Sequence, residues 1–170
     1  WVDVEDQSNT DFFLGNTNIS YKVLDALTLQ VNAGYSTERV DRYTSSPDSH
    51  PSAASEGGRA SISKFLNTTT LLETTLNYDK QIGEKHHLTI LGGYSFQRFQ
   101  NENTFTMANQ FVSTATEWNL IQSGNILANT SFKDANRLAS YYGRLNYKFD
   151  EKWEYKIIST LTYNYSNKWK

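Results

Sequence analysis

Residues 27–35 read Leu-Thr-Leu-Gln-Val-Asn-Ala-Gly-Tyr, an unbroken alternation of apolar and small polar side chains. Successive side chains of a β-strand point to opposite faces of the sheet. The stretch therefore predicts a strand with one apolar face and one wet face. The apolar face carries Leu27, Leu29, Val31 and Tyr35.

The same alternation recurs along the chain, and the segments pair into three hairpins of one shape. Strands are predicted at residues 11–23, 26–43, 59–81, 87–107, 135–149 and 153–170. Short turns are predicted at residues 24–25, 83–86 and 150–152, long polar connections at 44–58 and 108–134, and a loop at 1–10. Short turns at one end of the strands and long connections at the other are typical of outer-membrane β-barrels. We therefore predict an all-β fold, an antiparallel transmembrane β-barrel segment of about six strands with short periplasmic turns and long extracellular loops.

The composition is compatible with that architecture. The 170 residues carry 16 Lys and Arg against 18 Asp and Glu, which gives no basic field for nucleic acid. Cysteine is absent, which excludes disulfide bonds and thiolate metal sites within this sequence. The mean hydropathy is −0.63 and no apolar run of about 18 residues occurs, so a transmembrane helix is excluded. Barrel strands need apolar residues only at alternate positions, so a membrane location stays open.

The spacing of the residues at the two ends of the apolar face matches the height of the apolar band of a membrane-spanning barrel. Leu27 and Tyr35 are separated by about 26 Å of strand at roughly 3.3 Å per residue, and the apolar band of such barrels is about 25 Å tall. No charged residue falls on the apolar face between these markers. The residues expected to face lipid or form its aromatic rims are Tyr21, Leu27, Leu29, Val31, Tyr35, Tyr78, Tyr94, Trp153, Tyr155 and Tyr163.

A soluble β-sandwich also alternates, and it remains the alternative at this point. In that interpretation the chain is a carbohydrate-binding module; a secreted adhesin is a third, weaker candidate. The first residues lack the basic and apolar regions of a signal peptide, so we expect a piece of a longer chain. In that case residues 1–170 belong to a single barrel domain whose other parts lie elsewhere.

Catalytic chemistry finds little support in the sequence. Ser and Thr are abundant, but no nucleophile motif surrounds them. His86 and His87 lie in the predicted short turn with Glu84 nearby, and adjacent side chains on a strand point apart, which disfavours a metal site. We therefore expect a protein that is not an enzyme, with no cofactor and no metal.

Recognition of a ligand is better supplied by aromatic planes and amide side chains. Trp118, Asn119 and Gln122 lie in the long connection, and Phe99 and Asn101 are expected in or beside it. These five residues are the candidates for substrate contact. The competing interpretation is that Trp118 anchors its loop against the wall of the sheet.

A second set of amides is expected on the wet face of the strands. There they would hydrogen-bond water or another part of the protein rather than a substrate. This set comprises Gln30, Asn32, Asn67, Asn77 and Asn164.

Three stretches resemble hairpins of the SusC/RagA-type TonB-dependent transporters. They are residues 13–35, residues 74–78 with 88–95, and residues 141–152. Their order and spacing match the middle of that family's barrel. Residues 156–165 depart from the usual Arg-rich strand, which leaves the subfamily open.

The resemblance implies a 22-stranded barrel with an N-terminal plug in the outer membrane of a Gram-negative bacterium of the Bacteroidetes type. It further implies import of glycans or peptides, a SusD-like surface lipoprotein as partner, the TonB complex as energy source, and contact with outer-membrane lipid but not nucleic acid. Six strands are too few to close a membrane barrel, whose smallest bacterial form has about eight. We therefore expect that further strands lie outside this sequence, that other chains complete the sheet, or that the chain folds otherwise.

Overall fold

The computed structural model describes residues 4–150 and 152–169 and shows six antiparallel strands in one sheet. The strands are β1 Glu5–Leu24, β2 Leu27–Ser46, β3 Arg59–Ile82, β4 His86–Asn109, β5 Asn125–Phe149 and β6 Trp153–Trp169. Each strand pairs with the next in chain order, so the sheet is a meander with β1 and β6 at its edges. This confirms the predicted all-β hairpin architecture. Three single-turn 3₁₀ helices lie in the long connections, at Ala54–Glu56, Thr114–Thr116 and Ile121–Ser123.

The short turns adjoin the positions expected for them, and two of them contain a residue with positive φ. Gly83 has φ +64°, which glycine adopts without steric cost. Asp150 begins the third turn at φ +48°, a conformation that Asp tolerates better than most residues. Glu151, predicted in the same turn, lies outside the described residues.

The strands are longer at the opposite end of the sheet than the sequence predicts. β1 begins at Glu5, although residues 1–10 are expected as loop, and Trp1, Val2 and Asp3 lie outside the described residues. β5 begins at Asn125, so the expected connection 108–134 shrinks to residues 110–124. The connection expected at 44–58 likewise becomes 47–58. Residues 5–10 are polar on both faces, and residues 125–134 carry apolar side chains without a regular alternation. Neither stretch therefore shows a strand pattern, although the backbone hydrogen bonds are intact.

The register defines two faces, which we name after one residue each. The Leu29 face carries the residues paired across the sheet with Leu29, such as Tyr21 and Leu76. The Asn32 face carries those paired with Asn32, such as Asn18 and Glu73. Every residue expected on the apolar face lies on the Leu29 face. The amides Gln30, Asn32, Asn67, Asn77 and Asn164 all lie on the Asn32 face.

One row of paired residues divides the sheet in two, and we call it the boundary row. It runs across the sheet through Gly15, Tyr35, Thr70, Arg98, Arg137 and Tyr165. Between this row and the short turns lies the short-turn half; between it and the long connections lies the loop half.

Buried apolar residues are few among those described, and three of four lie at the loop end of the sheet. Ala53, Ala60 and Ala108 are at most 1% exposed, and Ala135 is 4% exposed in β5. By contrast Ile19, Ile157 and Leu161 in the short-turn half are 61–70% exposed. A β-sandwich would cover such residues with a second sheet, and the described residues form one sheet. No helix among the described residues is long and apolar enough to span a membrane.

Candidate functional site

The Leu29 face of the short-turn half is an apolar surface with aromatic rims. Tyr94 and Tyr141 pack with ring centroids 5.0 Å apart near the boundary row, and Phe13 lies 6.3 Å from Tyr35. Towards the short turns, Lys80 of β3 is the charged residue on this face. The residues expected to face lipid or form its rims all lie on this face, at the boundary row or between it and the short turns. Several of them expose more than half of their surface, namely Tyr21, Trp153, Tyr155 and Tyr163.

The rim beside the short turns is built around His86. Its ring centroid lies 5.0 Å from that of Phe149 and 6.0 Å from that of Tyr147, and its Nδ1 is 2.6 Å from the Tyr147 hydroxyl. His87 lies on the other face, where its Nε2 is 2.9 Å from Asp79 Oδ1. The two adjacent histidines therefore point apart, as the sequence predicts.

The Asn32 face of the short-turn half carries polar residues, and one side chain on it reaches across a neighbouring strand. The Tyr142 hydroxyl of β5 donates to Glu73 Oε1 of β3 at 2.7 Å, passing over β4. It crosses at Gly93, where a Cβ would collide with the Tyr142 ring. Gly93 is therefore required by the close approach of an aromatic ring, since glycine alone leaves room for it. The alternation pattern did not reveal this contact, because it depends on which residues the register places side by side.

The loop half of the Asn32 face brings together aromatic and amide side chains. Phe99 is paired with Thr69 and Asn136, and Asn101 with Asn67 and Asp134. Phe99 and Asn101 thus lie within β4 and share a face with these four polar side chains. They lie in the loop half of that strand rather than in the connection, which begins at residue 110. The side-chain oxygens Oδ1 of Asn136 and Asp134 are buried and have no hydrogen-bond partner among the described residues.

Asn136 and Asp134 were not among the candidates from the sequence. Asp134 falls in the stretch expected as connection, and Asn136 stands among residues of the fifth strand that carry no strong alternation. An unsatisfied buried oxygen costs free energy that a bound donor relieves. These two oxygens are therefore able to accept hydrogen bonds from a ligand that lies along this face.

The two long connections pack on each other as a single layer, which we call the loop cap (residues 47–58 and 110–124). Gln110 N donates to Glu56 O at 2.9 Å, and Phe111 N donates to Gly57 O at 3.0 Å. Gly57 and Gly58 take φ +64° and +80°, which ends the 3₁₀ turn Ala54–Glu56 in a left-handed conformation. The cap is thus fixed by backbone hydrogen bonds rather than by a flexible tether.

Trp118 lies on the outside of this cap. Its ring stacks on Tyr43 of β2 with centroids 5.6 Å apart and planes 28° apart. Tyr43 belongs to the Leu29 face, so Trp118 holds the connection against the sheet, which favours the anchoring interpretation. Asn119 and Gln122 are exposed on the same connection. The structure therefore does not bring all five candidates together: Trp118, Asn119 and Gln122 are in the loop cap, and Phe99 and Asn101 are on the Asn32 face.

The Leu29 face changes character above the boundary row, where it carries ion pairs. Arg39 donates to both carboxylate oxygens of Asp41, at 2.8–3.1 Å. Lys133 Nζ donates to Glu102 Oε1 at 2.6 Å, which together with Gln100 holds the pKa of Glu102 below its usual range. Such a surface suits water, not hydrocarbon, because transfer of charged groups out of water costs free energy that their pairing only partly recovers.

Sequence comparisons identify relatives along most of the chain. TonB-dependent receptor P3 of Formosa agariphila is 31% identical over 149 residues, which are 87% of this chain and 15% of that receptor. TonB-dependent receptor P26 of the same organism is 30% identical over 150 residues, 86% of this chain and 15% of the receptor. The chain thus spans about 15% of the length of these curated relatives. No protein-family model matches the sequence.

Solved structures share the fold. A structure of the RagAB peptide transporter superposes with a TM-score of 0.79 at 19% identity, covering 96% of this chain and 18% of that chain. A structure of the RagAB peptide importer in its closed-closed state gives 0.79 at 20% identity, covering 94% and 18%. The six-stranded sheet is therefore similar to part of a larger sheet in those proteins.

Proposed function

This chain matches the β-barrel of TonB-dependent receptors over most of its length, and on that premise we propose that it forms a section of barrel wall in a Gram-negative outer membrane. The chain is similar to transporters and receptors rather than to enzymes. The observation that carries the proposal is the Leu29 face of the short-turn half, which is apolar, exposed and rimmed by aromatic residues. In water such a surface is unfavourable; against lipid tails it is the expected one.

In this assignment the band contacts hydrocarbon through Leu27, Leu29 and Val31. The aromatic residues lie at the two interfaces, where amphipathic rings are favoured. They are Tyr21, Tyr35, Tyr78, Tyr94, Trp153, Tyr155 and Tyr163. Residues 1–170 then belong to one barrel domain, and the Asn32 face lines its interior.

The barrel imports peptides or glycans, works with a SusD-like surface lipoprotein and draws energy from TonB. Support for a peptide comes from the names of the structural neighbours, a peptide transporter and a peptide importer. The interior face adds amides and a phenyl ring, which serve a peptide backbone and a sugar ring alike. Phe99 and Asn101, with Asn136 and Asp134 beside them, are the wall residues that meet the substrate.

Trp118, Asn119 and Gln122 act at the outer surface. Because Trp118 stacks on Tyr43, its first role is to position the loop cap. Asn119 and Gln122 are exposed there and are available to a substrate or to the lipoprotein.

The decisive experiment compares two arginines introduced one residue apart in β2. Val31→Arg places a charge against lipid, at a cost of roughly 2–4 kcal/mol at mid-membrane. Asn32→Arg points into the interior, opposite Glu73. We expect Val31→Arg to abolish recovery of the intact polypeptide that carries this sequence in outer-membrane fractions, and Asn32→Arg to leave it unchanged. Equal recovery of the two variants would contradict the assignment, as would a wild-type protein that is monodisperse without detergent.

Uptake of a labelled oligopeptide and a labelled oligosaccharide then tests the substrate residues. Phe99→Ala and Asn101→Ala are expected to reduce uptake of one of the two several-fold at unchanged surface level. Trp118→Ala is expected to raise protease cleavage within residues 110–124, whereas Asn119→Ala is not. Unchanged uptake of both probes in both β4 variants would remove these residues from the substrate path.

A further inference from the structure

Two arginines face each other on the outside of the sheet at the edge of the apolar band. Arg98 of β4 and Arg137 of β5 are direct partners in the antiparallel register and share the Leu29 face. Directly opposed side chains have Cβ atoms about 4.5–5.5 Å apart, and like charges in that position are destabilising. The pair therefore lowers its free energy when an anion lies between the two guanidinium groups.

Neither guanidinium has a carboxylate partner among the described residues. Arg98 Nη2 donates to the neutral Gln100 Oε1 at 2.6 Å, and its Nε is buried without a hydrogen-bond partner. The nearest carboxylate along the same face of β4 is Glu102, which is engaged by Lys133 at 2.6 Å. Arg137 is exposed and forms no salt bridge within the described part of the chain. The charge at this point of the face is thus uncompensated.

The surroundings of the pair restrict which anion fits. Tyr94 and Tyr141, packed at 5.0 Å, lie on the side towards the short turns, together with Phe96. On the other side the face carries ion pairs. A ligand at the arginines therefore has an apolar surface below it and water above it, which is the position of a lipid headgroup whose acyl chains lie against the band.

We propose that Arg98 and Arg137 bind the phosphate of an outer-leaflet lipid headgroup, with its acyl chains packed on Tyr94, Phe96 and Tyr141. Arginine suits this task because its planar fork donates two parallel hydrogen bonds to phosphate oxygens. The inference rests on the proposed membrane orientation and adds a specific lipid site to it. The lipid offsets the repulsion between the two guanidinium groups and fixes the height of the barrel wall in the leaflet.

The test uses the intact polypeptide that carries this sequence, purified in detergent and analysed by native mass spectrometry. The probes are lipid A with both phosphates and the same lipid after dephosphorylation. We expect wild-type protein to retain the phosphorylated lipid, and Arg98→Gln with Arg137→Gln to bind it at least about tenfold more weakly, the scale of one lost charge-assisted hydrogen bond. Arg98→Lys with Arg137→Lys keeps the charges but loses the fork and is expected to fall between the two.

Arg144→Gln is the matched control, because Arg144 lies on β5 but on the opposite face, paired with Leu91. It is expected to bind the phosphorylated lipid like wild type. Equal binding of both lipids by wild type, or equal loss in the Arg144 variant, would overturn the site. Displacement of the lipid by millimolar inorganic phosphate would make the pair a general anion site and also overturn it. Absence of the wild-type protein from outer-membrane fractions would contradict the proposed function itself. Presence there without selective binding of the phosphorylated lipid would contradict only the lipid site.

Discussion

The short-turn half and the loop half of this sheet are built from the same six strands, yet their Leu29 faces differ in charge. Below the boundary row the Leu29 face is apolar and exposed, as at Ile157 and Leu161. Above it the same face carries Arg39–Asp41 and Lys133–Glu102 ion pairs. Buried alanines and packed connections lie only towards the loop end of the described residues. The backbone pairing of the strands thus continues through both halves, and only the side chains differ between them.

The difference also shows that the two halves are stabilised by different means. The loop half has its own small core and a cap held by backbone hydrogen bonds. The short-turn half has a single layer, and in the proposed membrane location its apolar face contributes to stability by its contact with lipid.

The largest expected effect comes from one substitution placed in each half of β4. Ile90→Arg lies on the Leu29 face of the short-turn half, and Thr104→Arg on the same face of the loop half. Ile90→Arg should cost about 2–4 kcal/mol of stability in lipid, and Thr104→Arg less than about 0.5 kcal/mol, as at ordinary surface sites. Urea unfolding of the intact polypeptide in lipid vesicles measures both. Similar losses would erase the distinction between the halves.

A smaller effect tests whether the short-turn half is also tightly packed on its wet face. Gly93→Ala drives a methyl group into the Tyr142 ring and breaks its hydrogen bond to Glu73. Overpacking of this kind costs about 1–3 kcal/mol. The neighbouring Gly92→Ala, on the other face, meets nothing within 4 Å and should be neutral. The same urea titration measures the stability of both variants. An unchanged stability of Gly93→Ala would mean that Tyr142 is free to move.

The smallest effect is a response to acid at the Lys133–Glu102 pair of the loop half. Hydrogen bonds from Lys133 and Gln100 lower the pKa of Glu102 from its ordinary 4.5. A group whose pKa is lower when folded stabilises the fold above its unfolded pKa, and this contribution is lost as pH falls through the folded value. Exposed pairs contribute about 0.2–1 kcal/mol, so the loss is local.

Spin labels report that loss directly, since this sequence contains no cysteine of its own. A nitroxide at Ser131→Cys, beside Lys133, should become more mobile below about pH 4, in the range set by the ordinary Glu pKa. A nitroxide at Ile157→Cys, in the apolar band, should not change. Equal changes at both positions would indicate that acid unfolds the whole sheet.

The sequence predicted the two faces well where they differ in polarity and poorly where they do not. From Leu27 to Tyr35 one face is apolar and the other is polar, so the period of two is visible in the sequence. At residues 5–10 every side chain is polar, and at residues 125–134 the apolar side chains of Ile126, Leu127 and Phe132 do not alternate, so both strands were mistaken for loop. Backbone hydrogen bonds form there regardless of side-chain polarity, so no residue pattern marks them.

The residues of the candidate site were likewise predicted from the sequence only in part. Trp118 was identified as a residue of interest because an aromatic ring in a polar connection is conspicuous, and its alternative role as an anchor was foreseen. Asn136 and Asp134 were missed, because nothing in their own stretch distinguishes them. The structure distinguishes them by pairing them with Phe99 and Asn101 on the neighbouring strand.

By itself the sequence determined the fold class, the hairpin order and the facing of each strand, since these follow from local alternation and from the length of each connection. The tertiary structure alone decided which residues meet across strands: Tyr142 over Gly93, Trp118 on Tyr43, and Arg98 opposite Arg137. The physical reason is that alternation fixes only the face of a side chain. Its neighbours on that face depend on register, which is set by pairing between segments far apart in the chain.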